Sequence, residues 1–172
     1  MTRRHHQNIE FRAPSSAATY ERARRLANKE MWTIALQRRR LKTDEPEDGD
    51  FLFRRWSDFQ FLIVSLTRIR RAATLAAKVP EISRTMRNAL SDFDAALPNL
   101  KNMRDVAEHF DDYAMDRGRN SAIGRSSLEV GMIGDTVFQW LGFELDADSA
   151  LSTARQLFKV IQQAKEHIPA ER

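Results

Sequence analysis

Between Ser16 and Leu41 the chain runs without a glycine or a proline. Within that stretch Tyr20, Ala27, Met31, Ile34 and Leu41 recur at spacings that keep one helical stripe apolar. The pattern predicts a long first helix, with Ser15 or Ser16 as N-cap and the cations of "RRRLK" in the last turn, where exposed carbonyls favour them. A helix of this length must have its stripe covered, which constrains the chain to fold as a bundle if the rest supplies partners.

It does. After "TDEPEDGD" breaks the pattern, Trp56, Phe59, Ile63, Leu66, Ala73 and Ala77 follow the three and four spacing of a bundle seam, predicting a second long helix from Asp50 to Lys78 with its middle buried on several sides. Pro80 opens a third helix carrying Ile82, Met86, Leu90 and Phe93, and Pro98 a fourth, because proline's missing N–H is harmless in a first turn. In the fourth, Leu100, Met103, Ala107, Phe110 and Ala114 form the stripe expected to face the core. Beyond "DRGRNSAIGRSS" the texture changes to alternation: Leu128, Val130 and Met132, then Val137, Leu141, Phe143 and Leu145, with Gly134 and Asp135 as the hairpin turn. Asp146 caps a last helix from Ala147 to His167, whose inner edge is Leu151, Ala154, Phe158, Ile161 and Lys165. The expected fold class is mainly α: a four-helix bundle over 16–116, then a β-hairpin and C-terminal helix over 126–168. At 172 residues the chain suits a single domain, 1–172.

Charge says where a partner would sit. The net charge of +4 conceals an asymmetry, since residues 1–42 hold eleven Lys or Arg against three acids while the remainder is net acidic. Such a concentration attracts polyanions by steering and counterion release, and marks Arg22, Arg25, Lys29, Arg38, Arg39 and Arg40 as candidate nucleic-acid contacts. The plain alternative is a solvated helix face. Cysteine is absent, which removes disulfides, Cys-ligated zinc and thiol catalysis and fits a reducing cytoplasm. The basic start has no signal-type apolar core behind it, and "FQFLIVSL" is too short to span a bilayer, so a cytoplasmic chain with no membrane partner is expected.

One helix offers chemistry. In "NMRDVAEHFDDY" lie Arg104, Asp105 and His109, the last being the only histidine inside a well-patterned helix. On a continuous helix Arg104 and His109 diverge by about 140°, whereas Asp105 and His109 share an edge. A His moves protons near neutrality, its unperturbed pKa being about 6.5, and such help is worth about a hundredfold to ten-thousandfold. An Arg, permanently charged, can stabilise negative charge that builds on a bound group such as a phosphate. No metal and no cofactor is called for. A metal site at Asp111 and Asp112 is disfavoured, since the two point about 100° apart on a helix. "SAIGRSS" lacks the following helix of a phosphate cradle. Trp32, Trp56 and Trp140, spread over three elements, read as core or interface anchors rather than base-stacking platforms, and Tyr113 reads as packing.

The run from Arg104 to His109, R-D-V-A-E-H, resembles the R-x-x-x-x-H signature of the HEPN superfamily, including the polar residue directly after the Arg. HEPN proteins are small helical bundles, many of them metal-independent ribonucleases, in which two copies of the motif meet across a homodimer. The resemblance covers the motif and the helical order of 16–116. It implies that Arg104 and His109 are catalytic, that Asp105 orients the His or the partner's site, and that the chain is a homodimeric endoribonuclease acting on RNA, a toxin or defence component with an antitoxin protein as a candidate partner. Two positions after the His, where some members paired with nucleotidyltransferase antitoxins carry a Tyr, this chain has Asp111, and Tyr113 stands four beyond. The competing expectation is a non-catalytic helical module that binds nucleic acid or protein through the basic first helix.

Overall fold

The computed structural model describes residues 13–46, 53–133 and 135–169. Helix α1 spans Ser16–Lys42, and the Ser15 side chain accepts the Ala18 N–H at 3.1 Å, the N-cap expected of that serine. Its buried stripe is Tyr20, Ala23, Ala27, Ile34 and Leu41, with Glu30 and Gln37 also enclosed. Helix α2, Phe53–Ala76, lies antiparallel to α1, so that Arg40 meets Asp58 towards one end while Leu26 and Lys29 face Arg68 and Ala72 further along. The expected start of this helix at Asp50 lies outside the described residues.

Helix α2 is the centre of the molecule. It packs against α1, against α3 (Ser83–Ala96), against α4 (Leu100–Glu108) and against the last helix, α6 (Ala147–Gln163). Accordingly Phe59, Leu62, Ile63, Leu66, Ile69, Ala72 and Ala73 are all buried. A sequence apolar on most sides with Ser65 as its only buried hydroxyl is what a helix enclosed by four others requires. Tyr20 ties α1 to α6 by donating its hydroxyl to the Ile161 carbonyl at 2.9 Å.

The expected fourth helix is broken in two. Helix α4 ends at Glu108, His109 takes φ −129° and ψ 41°, and a short α5 follows over Phe110–Ala114. The break turns the stripe: Leu100, Met103 and Val106 are buried, and after it Tyr113 is buried while Phe110, expected in the core, stands 49% exposed. What holds the break is Tyr113, whose hydroxyl donates to Asp105 Oδ2 at 3.0 Å and accepts the Asn120 N–H at 3.2 Å. Gly118 lies against the same ring, so close that a Cβ there would come 2.2 Å from the tyrosine Cδ1.

The second expected strand is likewise divided. Strands β1 (Val130–Ile133), β2 (Val137–Trp140) and β3 (Phe143–Asp146) form an antiparallel sheet in sequence order, with Leu141 and Gly142 turning β2 into β3. Both turn residues have positive φ, 59° and 77°, the geometry whose twist matches the flanking strands. Glycine adopts it freely; Leu141 is held there with its side chain buried. Gly134 lies outside the described residues. The sheet docks on the start of α2, with Phe138 stacked on Phe59 at 4.3 Å and Trp140 set edge-on to Trp56 at 4.9 Å. Asp146 caps α6 by accepting the N–H groups of Asp148 and Ser149. Burial alone would raise its carboxyl, but hydrogen bonds from Ser149 and Thr136 hold it below the usual range. Helix α6 ends at Gln163, and a tighter turn, Ala164–His167, replaces the expected last turn.

Candidate functional site

Helices α2 and α4 and the end of α3 enclose a cleft of about 440 Å³. Its wall is apolar at Leu97, Pro98 and Leu100 and cationic at Arg70, Arg71, Lys101 and Arg104, with Thr67 and Asp94 completing it. The placement follows from helix spacing. Thr67, Arg70 and Arg71 are three and four residues apart on α2, and Lys101 and Arg104 are three apart on α4, so each helix turns its cations to the same side. Asp94 answers one of the four, pairing with both nitrogens of the Arg70 fork at 2.6 Å. This bond keeps the Arg70 guanidinium charged even more firmly than usual, against the opposing effect of burial.

Arg104 sits at the cleft between two carboxylates, 3.6 Å from Asp105 and 3.7 Å from Glu108. Both distances exceed a hydrogen bond, and its Nε is buried with no hydrogen-bond partner. The cation is thus held by two long ion pairs while its Nε keeps a hydrogen-bond donor unused. A charged fork in an apolar-walled, cationic recess suits a phosphate oxygen, which it can meet with two parallel N–H groups.

The other motif residues are placed differently. His109 caps α4, half-buried, and does not line the cleft. Asp105 accepts the Tyr113 hydroxyl, so the carboxylate expected on the histidine's edge is engaged by the tyrosine. Asp111 and Asp112 are exposed in the first turn of α5.

The basic first helix divides into two sets. Arg38 pairs with Asp148, which Lys42 also reaches at 3.3 Å, and Arg40 pairs at 2.8 Å with Asp58, a carboxylate only 4% exposed that Arg54 also approaches at 3.2 Å. These arginines bind α1 to α6 and to α2. The Arg38 hydrogen bond, with help from Lys42, holds the Asp148 carboxyl below the usual range. Arg22, Arg25, Lys29 and Arg39 instead face solvent, Arg25 beside Glu21 at 2.9 Å. Hydrogen bonds from Arg24 and Arg25 pull the Glu21 carboxyl down to about 2.

Lys29 also lines a second depression, between α1 and α2, together with Leu26, Glu30, Arg68, Arg71 and Ala72. Arg71 belongs to both recesses, so Lys29, Arg68, Arg71, Arg70, Lys101 and Arg104 make a connected cationic track. The sequence reading missed its middle. The signal was the run "TRIRR", Thr67 to Arg71, hidden because charge summed over the remainder of the chain is negative.

No protein-family model matches the chain, and no curated protein or solved structure shows significant similarity to it. The resemblance at Arg104 to His109 therefore stands on those residues alone.

Proposed function

We propose that this chain acts on RNA as a HEPN-type endoribonuclease, with Arg104 and His109 as catalytic residues on the edge of α4 and a second copy completing the site. The observation that carries the reading is the setting of Arg104: it lines a recess shared with Arg70, Arg71 and Lys101, where a solvated helix face would leave it in open water. In this reading Arg104 stabilises the charge that builds on the phosphate under attack, and His109 moves the proton of the 2′-hydroxyl or of the leaving oxygen. Lys101, Arg70 and Arg71 hold the flanking backbone. Because the attacking group is the 2′-hydroxyl, DNA of the same sequence is not cut. Asp105 acts through Tyr113, fixing the end of α4 and hence the position of His109, instead of orienting the imidazole directly.

A second reading has its own observation. His109 lies outside the lining of the cleft, which suits a module that binds RNA on the cationic track without cutting it. One experiment separates the two: incubation of the dimeric wild type, Arg104→Ala and His109→Ala with a structured RNA and with DNA. The enzyme reading expects RNA cleavage reduced by at least about a hundredfold in both variants. Binding that persists in every variant with no cleavage by the wild type leaves the module. In either case a toxin role and an antitoxin partner belong to the proposal and would be tested by growth arrest on expression.

A further inference from the structure

The outward face of α1 carries Arg22, Arg25, Lys29, Trp32, Leu36 and Arg39, successive steps of three, four, three, four and three residues. That spacing puts all six on one stripe, about 26 Å long at the helical rise, opposite the buried stripe of Ala23, Ala27, Ile34 and Leu41. All six are exposed. Trp32, in the middle, is 74% exposed and is the most exposed tryptophan, since Trp140 is buried and Trp56 packs against it. No acid interrupts the stripe between Arg22 and Arg39; Glu21 stands at its start, and Glu30 is turned into the protein.

An indole exposed at the centre of a row of cations suits an occupant that is both anionic and flat-faced. A second copy of the same helix would set four cations against four. A membrane surface would meet a narrow apolar strip, Trp32 and Leu36 with Leu26 at its edge, broken by four cations. Duplex nucleic acid would satisfy the cations but hides the faces of its bases. We infer that this face of α1 docks single-stranded nucleic acid, with Trp32 stacked on an unpaired base and Arg22, Arg25, Lys29 and Arg39 on the backbone phosphates. This departs from the sequence expectation that Trp32 is a core or interface anchor and not a base-stacking platform, and it removes Arg38 and Arg40 from the contact set. Stacking does not require a 2′-hydroxyl, so the surface takes single-stranded DNA as well as RNA, whereas the cutting site acts on RNA alone.

The inference rests on the reading of nucleic acid as the ligand, but not on chemistry at Arg104 and His109. Its test is titration of the full-length protein with a fluorescent oligothymidylate, with a duplex of the same length and with anionic phospholipid vesicles, following anisotropy and tryptophan emission. The single strand should bind more tightly than the duplex and quench the indole. Trp32→Ala should weaken binding about tenfold and abolish the quench, Trp32→Phe should retain most of the affinity, and thermal unfolding should be unchanged in both. Neutralising Arg22, Lys29 and Arg39 together should flatten the salt dependence, the log–log slope falling by roughly 0.7 for each phosphate that is no longer neutralised. Unaltered binding by Trp32→Ala, equal affinity for the duplex, binding to vesicles alone, or a Trp32→Ala protein that loses self-association instead of oligonucleotide binding would each overturn it. If the wild type binds in this way but cuts no RNA, the ribonuclease reading falls and the docking surface stands.

Discussion

Removing the Tyr113 hydroxyl should loosen the helix end that carries His109. In Tyr113→Phe the buried ring remains, but Asp105 Oδ2 loses a donor at 3.0 Å and the Asn120 N–H loses an acceptor at 3.2 Å. A hydrogen bond to a charged group contributes about 1.5–3 kcal/mol. The Asp105 side chain is 17% exposed, so water recovers part of that, while the Asn120 N–H adds a smaller loss. The net expectation is about 2 kcal/mol, which for a chain of this size lowers Tm by about 4–8 °C. Urea unfolding of the wild type, Tyr113→Phe, Asp105→Ala and the double variant closes a cycle whose coupling should be about 1 kcal/mol or more, because each single change removes one partner of the same hydrogen bond. The same cycle between Asp105 and His109 should show less coupling. A Tyr113→Phe protein within about 0.3 kcal/mol of wild type, or a stronger coupling of Asp105 to His109, would refute the assignment of Asp105 to the tyrosine.

Gly118→Ala should be destabilised by at least about 2 kcal/mol in chemical denaturation, since its Cβ would press on the Tyr113 ring and the ring is buried on all sides. Asp58→Ala leaves Arg54 and Arg40 without their shared carboxylate between α1 and α2; with Arg40 partly solvated the expected loss is about 2–3 kcal/mol, read by the same measurement. Asp148→Asn should destabilise the protein most at neutral pH. The Asp148 carboxyl is held below its ordinary 3.8 by Arg38, so its contribution is present above that value and is lost as pH falls through the lowered one; unfolding at pH 7 and at pH 3 should show the gap between variant and wild type closing on acidification.

Where one physical signal dominated, the sequence was sufficient. The helical periods of α1 and α2 and the Ser15 and Asp146 caps follow from local rules and recur in the fold, whereas Pro80 opens a short 3-10 turn ahead of α3 and Pro98 stands just outside α4, whose N-cap is Asn99. Local rules failed where tertiary contacts decide. The break at His109 has no glycine or proline to announce it, because its cause is Tyr113 reaching back to Asp105 and across to Asn120. The turn at Leu141 was hidden for a related reason: a leucine takes a positive φ only where burial of its side chain holds it. At the candidate site, Arg104 was legible as a motif residue, while its neighbours Arg70 and Arg71 become visible only once α2 and α4 pack side by side. Charge counting likewise gave Arg38 and Arg40 the same weight as Arg22 and Arg39, since ion pairs to Asp148 and Asp58 span long stretches of sequence.

The proposed reading has a second copy complete the site; if Arg104 of one copy works with His109 of the other, mixing two inactive proteins tests it most directly. Arg104→Ala and His109→Ala, each unable to cut RNA, are unfolded together and refolded so that mixed dimers form. A mixed dimer then holds one site with both residues intact and one with neither. The account predicts that the mixture recovers a clear fraction of wild-type RNA cleavage that neither parent shows. A mixture as inactive as its parents, from a wild type that cuts RNA under the same conditions, would contradict it.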